Sequence, residues 1–171
     1  MNFKYGILKN ILLLVLLLLI QKTFIKILSL SSLNISPDFV MIMLVYIGVK
    51  EGKISGSIYG FLAGLLADFL SGTFIGLSAI SYTIAAFLAG FFKSENEKFL
   101  TGYFFLISVF ACSFAGNFIY FWIYFQGAPI NLPEVMIKYV LTSSAYTTLI
   151  SLVYVVFPRK KKIERSFLGE T

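Results

Sequence analysis

The sequence predicts an all-α integral membrane protein, a compact six-helix transmembrane bundle with both termini on the cytoplasmic side. Three observations predict it. Of the 171 residues, 58% are hydrophobic and 13% are charged, about half the charged share of a soluble domain. A soluble fold of this size could not bury so much apolar surface. The apolar residues fall into six runs, and the basic residues collect on one side once those runs are laid across a bilayer.

The first span covers about residues 7–28. Lys4 and Lys9 before an apolar run imitate a signal peptide, but "QKTFIKILSL" offers no small-residue cleavage site. An uncleaved helix follows, with Lys22 and Lys26 one turn apart at its outer end. The second span, about 37–50, opens with "SPDF" and is short of the ~20 residues a crossing needs. It is therefore tilted in a thinned bilayer or partly buried in protein. The remaining spans cover about 54–70, 74–92, 99–125 and 133–157, and residues 159–171 form a basic cytoplasmic tail.

With the N-terminus inside, eleven of the fourteen Lys and Arg residues lie on the cytoplasmic side. Only Lys22 and Lys26 lie outside, and Lys138 falls within the sixth span. Merging the second and third spans would put the basic tail outside, against the positive-inside rule. Aromatic residues mark the interfaces, Trp122 and Tyr124 at the outer one, Phe91, Phe92, Phe99 and Phe157 at the inner one.

Composition also excludes functions. There is no histidine and one cysteine, Cys112. That removes His/Cys metal sites, disulfides and Cys–His nucleophile pairs, and points to no metal and no cofactor. The net charge of +6 reports topology, not nucleic-acid binding. The intramembrane acids Asp38 and Asp68 lack the paired Tyr-Asp and Gly-x-Gly-Asp contexts of a membrane aspartyl protease. No catalytic constellation is present, and the chain is read as no enzyme.

The third span carries a ridge: Gly56, Gly60 and Gly64, then Asp68 and Gly72, each four residues on. Four residues advance a helix by only ~40° beyond a full turn, so the ridge forms one stripe. In lipid no hydrophobic force joins helices, and small residues must let backbones approach. The fourth span offers Ala85 with Ala89 and Ala86 with Gly90; the fifth offers Ala111 with Ala115 and Cys112 with Gly116. The ridge is expected to be an internal seam, or else a contact with a second copy of the chain. Gly72 is also well placed as a C-cap.

Asp68 sits near the C-terminal end of an outward-running helix, where the dipole opposes an acid by up to ~1 kcal/mol. It is expected to need a cation, Lys22 or Lys26, or to be a neutral hydrogen-bonded acid. Asp38 in "SPD" and Glu134 in "LPE" suit helix N-termini, and Lys138 follows Glu134 at the favourable spacing for an intrahelical pair. Together with Asn117 these residues make an outer polar cluster: Asp38, Asp68, Asn117, Glu134, Lys138, Lys22 and Lys26. The cluster is expected to line an outward cavity or to dock a partner segment.

"PDFVMIMLVYIGVKEG", followed by "GSIYGFLAGLLADFLSGTFIGLSAISYTIAAFLAG", resembles the bacterial rod shape-determining protein MreD family. The residues that carry the resemblance are Pro37 and Asp38, Gly56, Gly60 and Gly64, Asp68, Ser71 and Gly72, and Gly76 with Leu77. The clear match spans about residues 36–92. The resemblance implies a non-enzymatic, multi-pass component of the bacterial cytoplasmic membrane that takes part in cell elongation. Its implied partners are the MreC transmembrane segment and, through the elongation complex, MreB, RodA and its transpeptidase. It also implies a fold like the S-components of energy-coupling-factor transporters. A vitamin- or metal-binding S-component is therefore the alternative function. Against it, "ILLLVLLLLI" in the first span has no small residues for the contact such proteins make with their transporter.

Overall fold

Where no water is available, a chain must satisfy its own backbone groups, and the α-helix does so within one segment. The computed structural model describes residues 2–28, 37–72, 74–93, 102–126 and 132–156, apart from the side chains of residues 2–6, 24–28, 132, 154 and 156. Among these residues six helical rods carry the fold. They are α1 (Asn2–Leu28), α2 (Phe39–Glu51), α3 (Lys53–Ser71), α4 (Leu77–Ala89, extended by a 3₁₀ turn Gly90–Phe92) and α5 (Tyr103–Tyr124). The sixth rod is continuous but changes pitch: α6 (Leu132–Val135) runs through a π-helical stretch, Met136–Leu141, into α7 (Thr142–Val156). The basic tail lies outside the described residues.

The rods alternate in direction. At one end Asn10 Nδ2, near the start of α1, donates to Glu51 Oε1 at the end of α2 at 2.7 Å. Lys53 at the start of α3 lies beside Gly90 at the end of α4, and the Lys53 ammonium stands 3.4 Å from the Phe91 ring centre. Lys93 approaches Gly52 at the same place. This is the basic end of the bundle. At the opposite end Tyr139 packs its ring on Phe121 and Phe125, with centroids 5.5 and 5.6 Å apart.

α2 and α4 form the centre. α2 buries Val40, Met41, Leu44, Val45, Ile47 and Val49. α4 buries Ala79, Ala85, Ala86 and Ala89 on several faces, because small side chains let α2 and α3 reach its backbone and α5 pack close beside it. α1 is peripheral: Leu14 and Leu18 are buried against the core, while Leu8, Leu12 and Leu16 face outward. α3 and α5 are each long and apolar enough to cross a membrane. Their outer faces, including Ile54, Phe61, Phe69, Phe104 and Ile107, are exposed and apolar, as lipid contact requires.

The start of α2 is tied to its neighbours. Its N-terminus is largely buried, where unpaired N–H groups would be costly; Thr147, Gln21 and its own N-cap Asp38 accept from them.

Candidate functional site

The seam is built first. An ideal Cβ placed on Gly64 would lie 2.4 Å from Ala79 Cα, and one on Gly60 would lie 2.6 Å from the Tyr82 carbonyl oxygen. One on Gly56 would lie 2.8 Å from the Ala86 oxygen, and one on Gly90 would lie 2.4 Å from Lys53 Cα. Successive glycines of α3 thus meet successive turns of antiparallel α4, backbone on backbone. Gly48 of α2 presses on Ala86 and Ala89 from a second side, and Gly116 of α5 approaches Ala85 from a third. The stripe expected as a ridge is, within this chain, occupied by α4.

Gly72 does not belong to it. It ends α3 in the left-handed conformation (φ 63°) with open space where a side chain would stand. A ridge membership read from spacing fails there because the helix has stopped, and the cap geometry governs instead.

Asp68 continues the ridge by one step and is fully buried. The chain reverses through Gly72 and Gly76 (φ 105°), which brings the start of α4 over the carboxylate. Oδ2 accepts from Gly76 N at 2.9 Å and Ala79 N at 3.3 Å, and Oδ1 accepts from Ser78 N at 3.0 Å. α4 has no side-chain cap of its own at Gly76; Asp68 supplies one from the preceding helix. The dipole that matters at Asp68 is therefore the positive end of α4, not the negative end of α3. Lys22, one of the two cations expected beside it, donates its ammonium to Ser71 Oγ. The Lys26 side chain lies outside the described residues.

Asp38 organises a second buried terminus. As N-cap of α2 it accepts from Met41 N through Oδ1 at 2.9 Å, and Tyr82 of α4 donates its hydroxyl to Oδ2 at 2.6 Å. Its own N–H donates to Thr147 Oγ1 of α7 at 3.1 Å, and Val40 N donates to Gln21 Oε1 of α1 at 3.4 Å. The capping residue thus joins α2, α4 and α7, and Val40 two residues on adds α1. Asn117 of α5 joins the sixth rod by donating to Ser143 and Ser144 at 3.3 and 3.2 Å. Ser81 of α4 donates to the Gly116 oxygen of α5 at 2.7 Å.

The seven residues expected to form one outer cluster therefore occupy several places. Asp38 ties α2 to α4 and α7, Asp68 ties α3 to α4, and Asn117 ties α5 to the sixth rod. Glu134 and Lys138 face each other at 3.9 Å on the exposed start of the sixth rod. Of the six whose side chains are described, none lines either of the two grooves flanking α1. The predicted topology puts Asp38, Asp68, Glu134 and Lys138 in the outer half and Asn117 somewhat deeper; their separation reflects which face of each helix they stand on.

Several polar residues have no counterpart in the sequence reading: the half-buried Gln21, and in the interior Tyr82, Ser81 and the buried hydroxyls Ser144, Thr147 and Ser151 of α7. The last three recur at helical spacing in "SAYTTLIS", a signal that points them to one face. Ser113 of α5 is fully buried, and its hydroxyl has no hydrogen-bond partner among the described residues.

A wholly helical bundle with backbone-close small-residue packing, apolar outer faces and acids spent on helix termini defines a helical membrane protein. The family model for rod shape-determining protein MreD matches residues 1–158. The chain belongs to that family, whose members determine rod shape as structural membrane proteins and not as enzymes. Comparison with curated proteins and with solved structures finds no match.

Proposed function

We propose that this chain is a membrane scaffold of the cell-elongation complex that binds the MreC transmembrane segment and helps couple MreB filaments to peptidoglycan synthesis by RodA and its transpeptidase. The observation that carries this reading is the family match across residues 1–158. The structure supports a scaffolding role through its construction: glycine contacts and cross-helix caps join α2, α3, α4 and α5 into one closely packed frame.

The same reading takes six crossings with both ends in the cytoplasm of a bacterial inner membrane, the basic end being the cytoplasmic one. It divides the polar residues by role. Asp38, Asp68 and Asn117 are committed to internal contacts and set the geometry of the frame. Glu134 and Lys138 are exposed at the far end and are the polar residues offered to a partner there. Self-association through the outer faces of the bundle is compatible with this arrangement, since the glycine seam is already filled by α4.

Co-purification of tagged full-length chain with MreC from solubilised membranes tests the reading. Wild type is expected to retain MreC, and the Glu134→Gln/Lys138→Gln variant to retain less at equal expression. Failure of the wild type to retain MreC removes the proposed partnership. Full retention by the variant removes the assigned contact while leaving the partnership.

A further inference from the structure

The groove between α1, α2 and α7 has a shape and charge that neither the seam nor the capped termini use. It has a volume of about 650 Å³, inside the ~300–1,000 Å³ range of sites that enclose small ligands. Along α1 it is bounded by Lys9, Leu13 and Leu17, and along α2 by Phe39, Tyr46 and Lys50. These two helices run antiparallel, so Lys9 and Lys50 stand at the same end. Leu17 and Phe39 stand at the other.

Length decides what fits. Eight residues separate Lys9 from Leu17 and eleven separate Phe39 from Lys50, which at helical rise is roughly 12 and 16 Å. That is about half of a ~30 Å hydrocarbon core. A partner's transmembrane helix would need the full thickness; a lipid of one leaflet needs half. Charge decides which lipid. Lys9 and Lys50 are exposed at the mouth and have no ion pair among the described residues. Lys50 stands 5.5 Å from the Tyr46 ring centre. Glu51, the nearby acid, is held by Asn10, so the mouth has two cations against one anion. Lysines at a membrane surface extend their ammonium groups to the headgroup level.

We propose that this groove is a binding site for one anionic glycerophospholipid of the adjoining leaflet. An acyl chain lies along Leu13, Leu17 and Ile42, and the headgroup phosphate lies between Lys9 and Lys50. The site does not depend on MreC or on the orientation of the chain. The groove between α1 and α3 differs: Ile11, Leu18, Leu62 and Phe69 line it and no charged residue does, so it has nothing to select a headgroup.

Native mass spectrometry of the purified full-length chain, titrated with phosphatidylglycerol or with phosphatidylcholine of the same acyl chains, tests this. One phosphatidylglycerol per chain is expected at concentrations where phosphatidylcholine leaves most of the protein unoccupied. Each lysine near an anionic headgroup is worth about fivefold in affinity. Lys9→Gln/Lys50→Gln is therefore expected to weaken phosphatidylglycerol binding by roughly 25-fold, and Lys93→Gln, at the same end but off the groove, to leave it unchanged. Val153→Trp, on the exposed wall of the groove, is expected to reduce occupancy while circular dichroism and thermal stability stay as in wild type. Equal binding of both lipids, undiminished binding by the double variant, or full occupancy in Val153→Trp would each overturn the proposal. Competition by millimolar inorganic phosphate as effective as that by lipid would also do so, because it would leave the apolar groove without a part.

Discussion

Replacing Asp68 by asparagine separates the helix cap described above from a neutral hydrogen-bonded acid, because asparagine keeps the shape and one acceptor. A neutral acid would be replaced almost without loss. The capping carboxylate would not. It accepts from the N–H groups of Gly76, Ser78 and Ala79, and the amide presents an NH₂ group to one or more of those donors. An unsatisfied buried donor costs about 1–3 kcal/mol. Loss of a charge at a buried helix N-terminus adds up to ~2 kcal/mol. Against these stands relief from burying a carboxylate, several kcal/mol in an apolar interior. With both costs at their upper end, about 5 kcal/mol, and about 3 kcal/mol of relief, the net expected cost is about 2 kcal/mol for Asp68→Asn. Asp68→Ala, which removes every acceptor, should cost more, about 3 kcal/mol. Lys22→Gln discriminates a third view. Lys22 contacts Ser71, so its loss should cost no more than about 0.5 kcal/mol. The assay is reversible unfolding of the full chain in detergent, with hydrogen exchange resolving the amides of residues 76–79. Unchanged stability and unchanged protection in Asp68→Asn would refute the cap. A Lys22→Gln cost equal to that of Asp68→Asn would refute the assignment of its field to α4.

The other predictions follow from the same contacts. Gly64→Ala would press a methyl group to 2.4 Å of the α4 backbone; the seam must open, and unfolding measurements should show a loss of about 3 kcal/mol. Gly72→Ala meets no neighbour but must hold φ 63°, so the loss should be about 1 kcal/mol. Tyr82→Phe removes a 2.6 Å hydrogen bond to the Asp38 carboxylate and should cost about 1.5–3 kcal/mol, with hydrogen exchange rising at the start of α2. Asn117→Ala breaks two long contacts between neutral groups; such bonds within membranes average about 0.6 kcal/mol, and denaturation should register roughly 1 kcal/mol.

How much could be read from the sequence depended on how locally each feature is determined. The four-residue spacing of Gly56, Gly60 and Gly64 is a property of a single helix, and its stripe was visible at once. So was the suitability of Asp38 for an N-terminus, since Pro37 and the apolar run after it are neighbours in sequence. The acceptor role of Asp68 toward α4 was not legible, because it depends on how the chain turns between Gly72 and Gly76. Hydropathy gives depth without azimuth, so Asp68 and the somewhat deeper Asn117 fall into one group although Asn117 faces the sixth rod and Asp68 faces α4. The π-helical stretch at Met136–Leu141 left no recognised mark in composition. The hydroxyls of α7 did leave one, a helical spacing of Ser144, Thr147 and Ser151, but serine and threonine in an apolar helix usually bond back to their own backbone. Only Asp38 arriving from α2 makes Thr147 a cross-helix acceptor.

The central claim is that this chain supports elongation as a scaffold. Depletion of the protein in its native bacterium, followed by microscopy of cell length and width, tests it most directly. The account predicts that rods shorten and become round as the protein is lost, and that wild-type chain restores them. Cells that stay rod-shaped while acquiring a requirement for a vitamin or metal would contradict it, and would point to uptake instead.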